Sequence, residues 1–278
     1  MTSLRARAKR LVVKYGARPR RALVWAQLRR CAARQGYTPR DLKRVYSYLS
    51  DHLDLETSQF SSVLQQPSNF FPELRSQPVY DPSEFPWAPA MVREFDAIRH
   101  ELLDLSAASD LEAQPQNLTD SGRWNVLYFY VGGERVDATM RACPRTAAIL
   151  DSIPGAGQAS QVYLSVLRGG THIKQHFGPT NTKLRCHLGL VVPDGARIRI
   201  GEETHEWREG ELLIFDDSFE HEVWNDSSSE RVVLIVDFWH PDLLPAETWA
   251  ITEARRLRYG LRDVPVHGKA QGGPIRRQ

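Results

Sequence analysis

Cysteine is scarce in this 278-residue chain: there are three, Cys31, Cys143 and Cys186, far apart and odd in number. They form no zinc-type pattern and no disulfide framework, which fits free thiols in a reducing compartment. Apolar runs are short too. No stretch approaches the roughly 18 residues a membrane-spanning helix needs, so none is expected. The start lacks the continuous apolar core of a secretory signal. No internal repeat, P-loop or dinucleotide-binding glycine fingerprint occurs, and the nucleotide-binding classes they mark are not expected.

Net charge is also small, +2, but its distribution is uneven. Residues 1–45 hold fourteen Lys/Arg and one acid, Asp41, a net of +13. The remainder holds 22 basic and 33 acidic residues, a net of −11. A basic arm therefore precedes an acidic body. Within the arm, Arg21–Gln35 reads as a helix, with Val24, Leu28 and Cys31 on one stripe and Trp25 and Ala32 beside it. Such a helix can lie on an anionic membrane, contact nucleic acid, serve as a transit peptide, or dock on an acidic surface. Nucleic acid is the least expected of these partners. A second helix is expected over Arg40–Leu53, with Thr38 as its N-cap.

Residues 54–90 carry six prolines from Pro67 to Pro89 and read as loop. Helices are expected over Ala90–Leu105 and Pro144–Ile153, with polar loop at 104–122. Strands are expected over Trp124–Val131, Gln161–Leu167, Leu184–Val192, Ala196–Ile200, Glu211–Phe215, His221–Trp224 and Val232–Phe238. Short β-rich runs bounded by Gly, Pro, Asn and Asp at this spacing point to an all-β barrel or sandwich.

Side chains alternate faces along a strand. Arg185, His187 and Gly189 share one face, and Leu184, Cys186, Leu188 and Leu190 the other. Likewise Arg231, Val233, Ile235 and Asp237 oppose Val232, Leu234, Val236 and Phe238. A strand this apolar on both faces is expected to be buried on both, so Arg231 needs an anionic partner. Lys183 reads as an exposed lysine, with attraction of an acidic substrate as the alternative.

Of nine histidines, His176, opening a strand–loop segment, and His221, on a later strand, suit a non-haem iron(II) site, usually two histidines and a carboxylate. The carboxylate usually follows the first histidine by two residues. That position is Gly178, which cannot ligate. Asp216 and Asp217 are near His221 in sequence and could substitute for that carboxylate, but a turn role is expected for both. His172, His205 and His267 have no supporting context.

Five blocks together resemble the aspartyl/asparaginyl β-hydroxylases: His176-Phe-Gly-Pro-Thr-Asn, Leu184-Arg-Cys-His-Leu-Gly-Leu, Trp207-Arg-Glu-Gly, Phe215-Asp-Asp-Ser-Phe-Glu-His-Glu-Val-Trp and Val236-Asp-Phe-Trp-His-Pro. Weaker landmarks are Phe70-Phe-Pro-Glu-Leu, Gly122-Arg-Trp-Asn and Ala142-Cys-Pro-Arg-Thr. The resemblance covers roughly residues 67–250. It implies a double-stranded β-helix, a jelly-roll or cupin-like barrel, with flanking helices. It implies Fe(II) and 2-oxoglutarate as cofactor and cosubstrate, and O2 as co-reactant. The family's motif has a glycine at the Gly178 position, so the implied metal ligands are His176 and His221 alone. By the same match, Arg231 and Ser165 would hold the distal carboxylate of 2-oxoglutarate. Arg185 and His187 would contact its other end, and Trp124 would line the pocket.

The expected organisation is a basic helical extension (1–66), a dioxygenase domain (67–255) and a basic tail (256–278). The expected activity is hydroxylation of an unactivated C–H, β to a carboxylate or amide of an aspartyl or asparaginyl residue or an amino-acid derivative. A membrane-associated acyl-chain hydroxylase and a non-catalytic binding module on the same barrel are the alternatives. The expected location is cytoplasmic, at the periphery of a membrane if residues 1–45 contact anionic lipid.

Overall fold

The computed structural model describes residues 18–50, 62–109, 111–114 and 118–260. The first part of the basic arm, the end of the expected second helix after residue 50, His267 and most of the 256–278 tail lie outside them. By packing the chain divides into two compact units, residues 1–45 with 244–278, and residues 46–243.

The smaller unit is helical. Arg18–Arg34 forms the basic helix, with Leu28 and Ala32 buried and Arg29, Arg30 and Arg34 exposed. Pro245–Gly260 is a helix that the sequence reading did not place. Arg44 forks onto Glu247 at 2.6–2.8 Å, and the Tyr37 and Trp249 rings lie 5.2 Å apart. Thr38 is not a helix cap. Its N–H and hydroxyl both donate to Asp41, and the second helix starts at Lys43.

The larger unit is mainly β. Its strands are β1 (Val79–Tyr80), β2 (Glu112–Ala113), β3 (Thr119–Ser121), β4 (Trp124–Val131), β5 (Glu134–Arg135), β6 (Val162–Leu167), β7 (Thr171–His176), β8 (Lys183–Val191), β9 (Ala196–Ile200), β10 (Glu203–Glu206), β11 (Leu212–Phe215), β12 (His221–Asn225) and β13 (Arg231–Trp239). They make two antiparallel sheets. One runs β1-β11-β8-β13-β6-β4-β2, with β5 on β4, and the other β10-β9-β12-β7-β3. This is the expected jelly-roll, cupin-like architecture.

The predicted alternation holds. Leu184, Cys186, Leu188, Leu190, Val232, Leu234, Val236 and Phe238 pack outward into one core. With them lie Met91, Ile98, Leu102, Ala147 and Leu150 from the helices Ala88–Arg93, Phe95–Ala108 and Pro144–Ser152. The single helix expected over 90–105 is thus two, broken at Glu94. Val233 and Ile235 face the other way and join Val126, Tyr163, Leu167, Ile173, Ile198, Ile200 and Val223 between the sheets. Burying apolar side chains on both faces at about 25 cal/mol per Å² makes β13 the axis of the unit. It is buried at every position.

Candidate metal and cosubstrate site

His176 and His221 are register partners on adjacent strands, β7 and β12. A bulge puts them there. Val223 pairs with Ile173 and His221 with His176, so β7 spends three residues where β12 spends two. Without the extra residue, His176 and the inward Ile173 would point to opposite faces. With it, both face the barrel interior, as bulges beside functional sites commonly arrange. The ring centroids are 4.1 Å apart.

Each ring is tied back by its Nδ1. His176 donates to the Lys174 carbonyl at 2.7 Å and His221 to the Phe219 carbonyl at 2.9 Å. That leaves each Nε2 as the lone-pair nitrogen, free to ligate. Burial holds both imidazoles below their usual pKa. His221 is well below, pushed further by His176 and Arg185. Neutral rings suit a metal. Among the described residues no group of three or more His, Cys, Asp or Glu is arranged around a metal position, so the two histidines stand alone.

The missing carboxylate position is filled from elsewhere. A Cβ on Gly178 would fall 2.5 Å from the Asp217 carboxylate. Asp217 Oδ2 accepts from Lys183 Nζ at 2.6 Å, while the buried Oδ1 has no partner. Burial opposes its charge, but Lys183 and Arg185 outweigh that and hold the carboxyl below its usual range. The expected turn role falls to Asp216, whose carboxylate accepts the Ser218 N–H at 2.9 Å and whose carbonyl accepts the Phe219 N–H. Lys183 is not an exposed lysine. It is 1% exposed, bound to Asp217 and 3.3 Å from Asp237. Gly178→Ala should therefore displace the Asp217 carboxylate. We expect a stability loss of about 1–3 kcal/mol, the usual scale for overpacking, measured by urea denaturation.

Arg185 forks onto Asp237 through Nε at 2.7 Å and Nη2 at 3.1 Å, and Nη2 also lies 3.3 Å from Asp217. Only Nη1 remains for the ligand contact expected of it. His187 accepts the Trp207 indole N–H on Nδ1 at 3.1 Å, so its proton is on Nε2, which is buried and unpartnered. Trp124 donates its indole N–H to Ser165 Oγ at 3.0 Å, which places those two expected pocket residues together.

Arg231 is 2% exposed, and no carboxylate is within ion-pairing distance of it among the described residues. Its guanidinium rests 4.9 Å over the Trp207 ring and its Nε is unpartnered. Burial lowers its pKa to about 9. Trp207 thus supports both Arg231 and His187, a role that its place in a motif did not reveal. Lys183, Asp217 and Asp237 were missed as a unit too, although Asp237 sits on the Arg231 face of β13. His172 lies apart from this group, between Asp120 at 3.0 Å and Glu222 at 2.7 Å.

The family description "aspartyl/asparaginyl beta-hydroxylase" matches residues 92–241, which hold every residue of this site. The chain belongs to that family. Human aspartyl/asparaginyl beta-hydroxylase is 38% identical over 213 residues, covering 74% of this chain and 28% of the human protein. The chain thus spans little more than a quarter of that relative's length. The ornithine lipid ester-linked acyl 2-hydroxylase of Rhizobium tropici is 37% identical over 193 residues, 65% of this chain and 68% of its own. Among solved structures, a prolyl hydroxylase from Trichoplax adhaerens is similar at 12% identity and a TM-score of 0.40, covering 54% of this chain and 79% of its own. The aspartyl/asparaginyl β-hydroxylase family is a hydroxylase family.

Proposed function

We propose that this hydroxylase depends on iron(II) and 2-oxoglutarate. It hydroxylates an unactivated C–H, β to a carboxylate or amide of an aspartyl or asparaginyl residue or of an amino-acid derivative. The observation that carries the reading is the His176–His221 pair, with both Nδ1 atoms bound to carbonyls and both Nε2 atoms free. The donor set fits the metal, and the unpaired Arg231 fits a dicarboxylate.

His176 and His221 would hold the metal. With oxygen and the keto acid, bound iron supplies an oxidant strong enough for an unactivated C–H. The chain's own work is binding and orientation. Arg231, over the Trp207 ring, presents a fork to the distal carboxylate, and Ser165, held by Trp124, offers a hydroxyl beside it. His187 Nε2–H and Arg185 Nη1 are the donors left for the other end. Asp217 Oδ1 is an unused acceptor against Gly178, the position where other dioxygenases carry a ligating carboxylate. The buried walls exclude bulk water and strengthen each of these contacts.

The test is oxygen-dependent formation of succinate from 2-oxoglutarate with added iron, and mass spectrometry of candidate aspartyl, asparaginyl and amino-acid substrates for one added oxygen. Absence of both coupled and uncoupled turnover would sink the reading.

A second reading has its own support: an acyl-chain hydroxylase at an anionic lipid surface. One relative is named for such a lipid substrate, and residues 1–45 carry a net +13. No helix among the described residues is long and apolar enough to cross a membrane. Flotation with anionic liposomes of the full chain against a form lacking residues 1–45 separates the readings, since equal behaviour removes the lipid one. The division into an extension (1–66), a catalytic domain (67–255) and a tail (256–278), and a cytoplasmic location, remain parts of the proposal.

A further inference from the structure

Once these roles are assigned, the phenol of Tyr163, between the sheets, is still without one. It sits on β6 two residues before Ser165, so the two share a face. The residue is 4% exposed and packs with Val126, Leu167, Val233 and Ile235 in the interior cluster. Its hydroxyl has no hydrogen-bond partner among the described residues. Its neighbour Tyr128, 5.5 Å away by ring centroids, is different: that hydroxyl accepts from Gln114 at 3.2 Å.

The register places Tyr163 more closely. Ile235 of β13 pairs with Tyr163 on one side and with His187 on the other. Tyr163, Ile235 and His187 therefore form one row across the inner face of the sheet. At one end of that row the His187 Nε2–H is buried without a partner, and at the other the Tyr163 hydroxyl makes no hydrogen bond among the described residues. The Tyr163 oxygen is also within electrostatic reach of Arg185, Asp237 and Arg231. Burial pushes the phenol up to about 12, so it keeps its proton.

Tyrosine hydroxyls in a protein interior ordinarily find a partner. Two donors in one row call for an acceptor, and the cosubstrate carboxylate assigned to His187 supplies one. We propose that Tyr163 is a further cosubstrate-binding residue, donating a hydrogen bond to the carboxylate of 2-oxoglutarate that His187 Nε2–H also faces. This rests on the 2-oxoglutarate reading given above and adds a residue that no part of that reading uses.

The test is calorimetric titration of 2-oxoglutarate into the full chain loaded with Mn(II), which keeps redox turnover out of the readout. Tyr163→Phe keeps the ring and removes one donor to a charged group, so affinity should fall about tenfold or more. Tyr128→Phe should bind as the parent does. Without ligand, the melting temperature of Tyr163→Phe should stay close to the parent's, because the hydroxyl removed makes no hydrogen bond in the free chain. Parent-like affinity in Tyr163→Phe, or the same loss in both variants, would overturn the assignment. If the parent chain itself fails to bind 2-oxoglutarate, the cosubstrate reading falls and this residue's role with it.

Discussion

His176→Ala and His221→Ala should each lose stoichiometric iron binding and all succinate formation while remaining folded. The reason is the size of the ligand set. With two protein ligands and no third His, Cys, Asp or Glu arranged around the position among the described residues, removing one leaves a single imidazole. Outer partners of a ligand are already worth about 10–100-fold in metal affinity, and a ligand itself should exceed that. The fold should tolerate the change. Each ring contributes one hydrogen bond, to the Lys174 or Phe219 carbonyl, and both are neutral, so no buried charge is stranded. A loss within about 2 kcal/mol is expected, read by circular dichroism on heating. His187→Ala is the contrast. His187 is buried and close to the pair, but its open nitrogen carries a proton and cannot ligate, so iron should still bind while 2-oxoglutarate affinity falls. Parent-like iron stoichiometry in either ligand variant would overturn the metal assignment.

The barrel was legible because β strands write their two faces into alternate residues. β8 and β13 showed Arg185, His187 and Arg231 on one side and a continuous apolar row on the other before any coordinates, and the two cores divide along that line. β4, β6, β9, β11 and β12 were found to within a residue for the same reason. β7 was not, because the bulge near Lys174 breaks its period and places His176 by pairing with β12 rather than by local pattern. The same limit hid the ion cluster. Lys183 looks like any surface lysine in sequence, and only the strand pairing that sets Asp237 against Arg185, with Asp217 folding back from the β11–β12 turn, buries it. Tyr163 was invisible as a donor because its meaning comes from a row shared with His187 across an intervening strand.

Arg231→Met should give a more stable protein that binds 2-oxoglutarate far more weakly. In the free chain Arg231 is a buried cation with an aromatic face beneath it and, among the described residues, no carboxylate beside it. Replacing such a charge by an apolar side chain of similar length removes a desolvation penalty, and a gain on the order of 1–3 kcal/mol is expected. The loss on the ligand side is a charged, forked contact worth at least about 2–3 kcal/mol, near a hundredfold in affinity. Arg231→Lys should fall between, keeping the charge but not the planar fork. The gain should also depend on pH in a definite direction. Burial has lowered the Arg231 pKa from its ordinary value near 12.5 to about 9. Below pH 9 the folded and unfolded chains both hold the proton, and the parent's penalty is present in full. From pH 9 upward the folded chain releases it first, the unfolded chain binds more protons, and parent stability rises relative to the variant. The stability difference between Arg231→Met and the parent, measured by urea denaturation, should therefore be flat from pH 6 to about 8 and narrow above about 9. A variant less stable than the parent across that range would mean that Arg231 already has an anionic partner inside the free protein, and its assignment to an incoming dicarboxylate would fail.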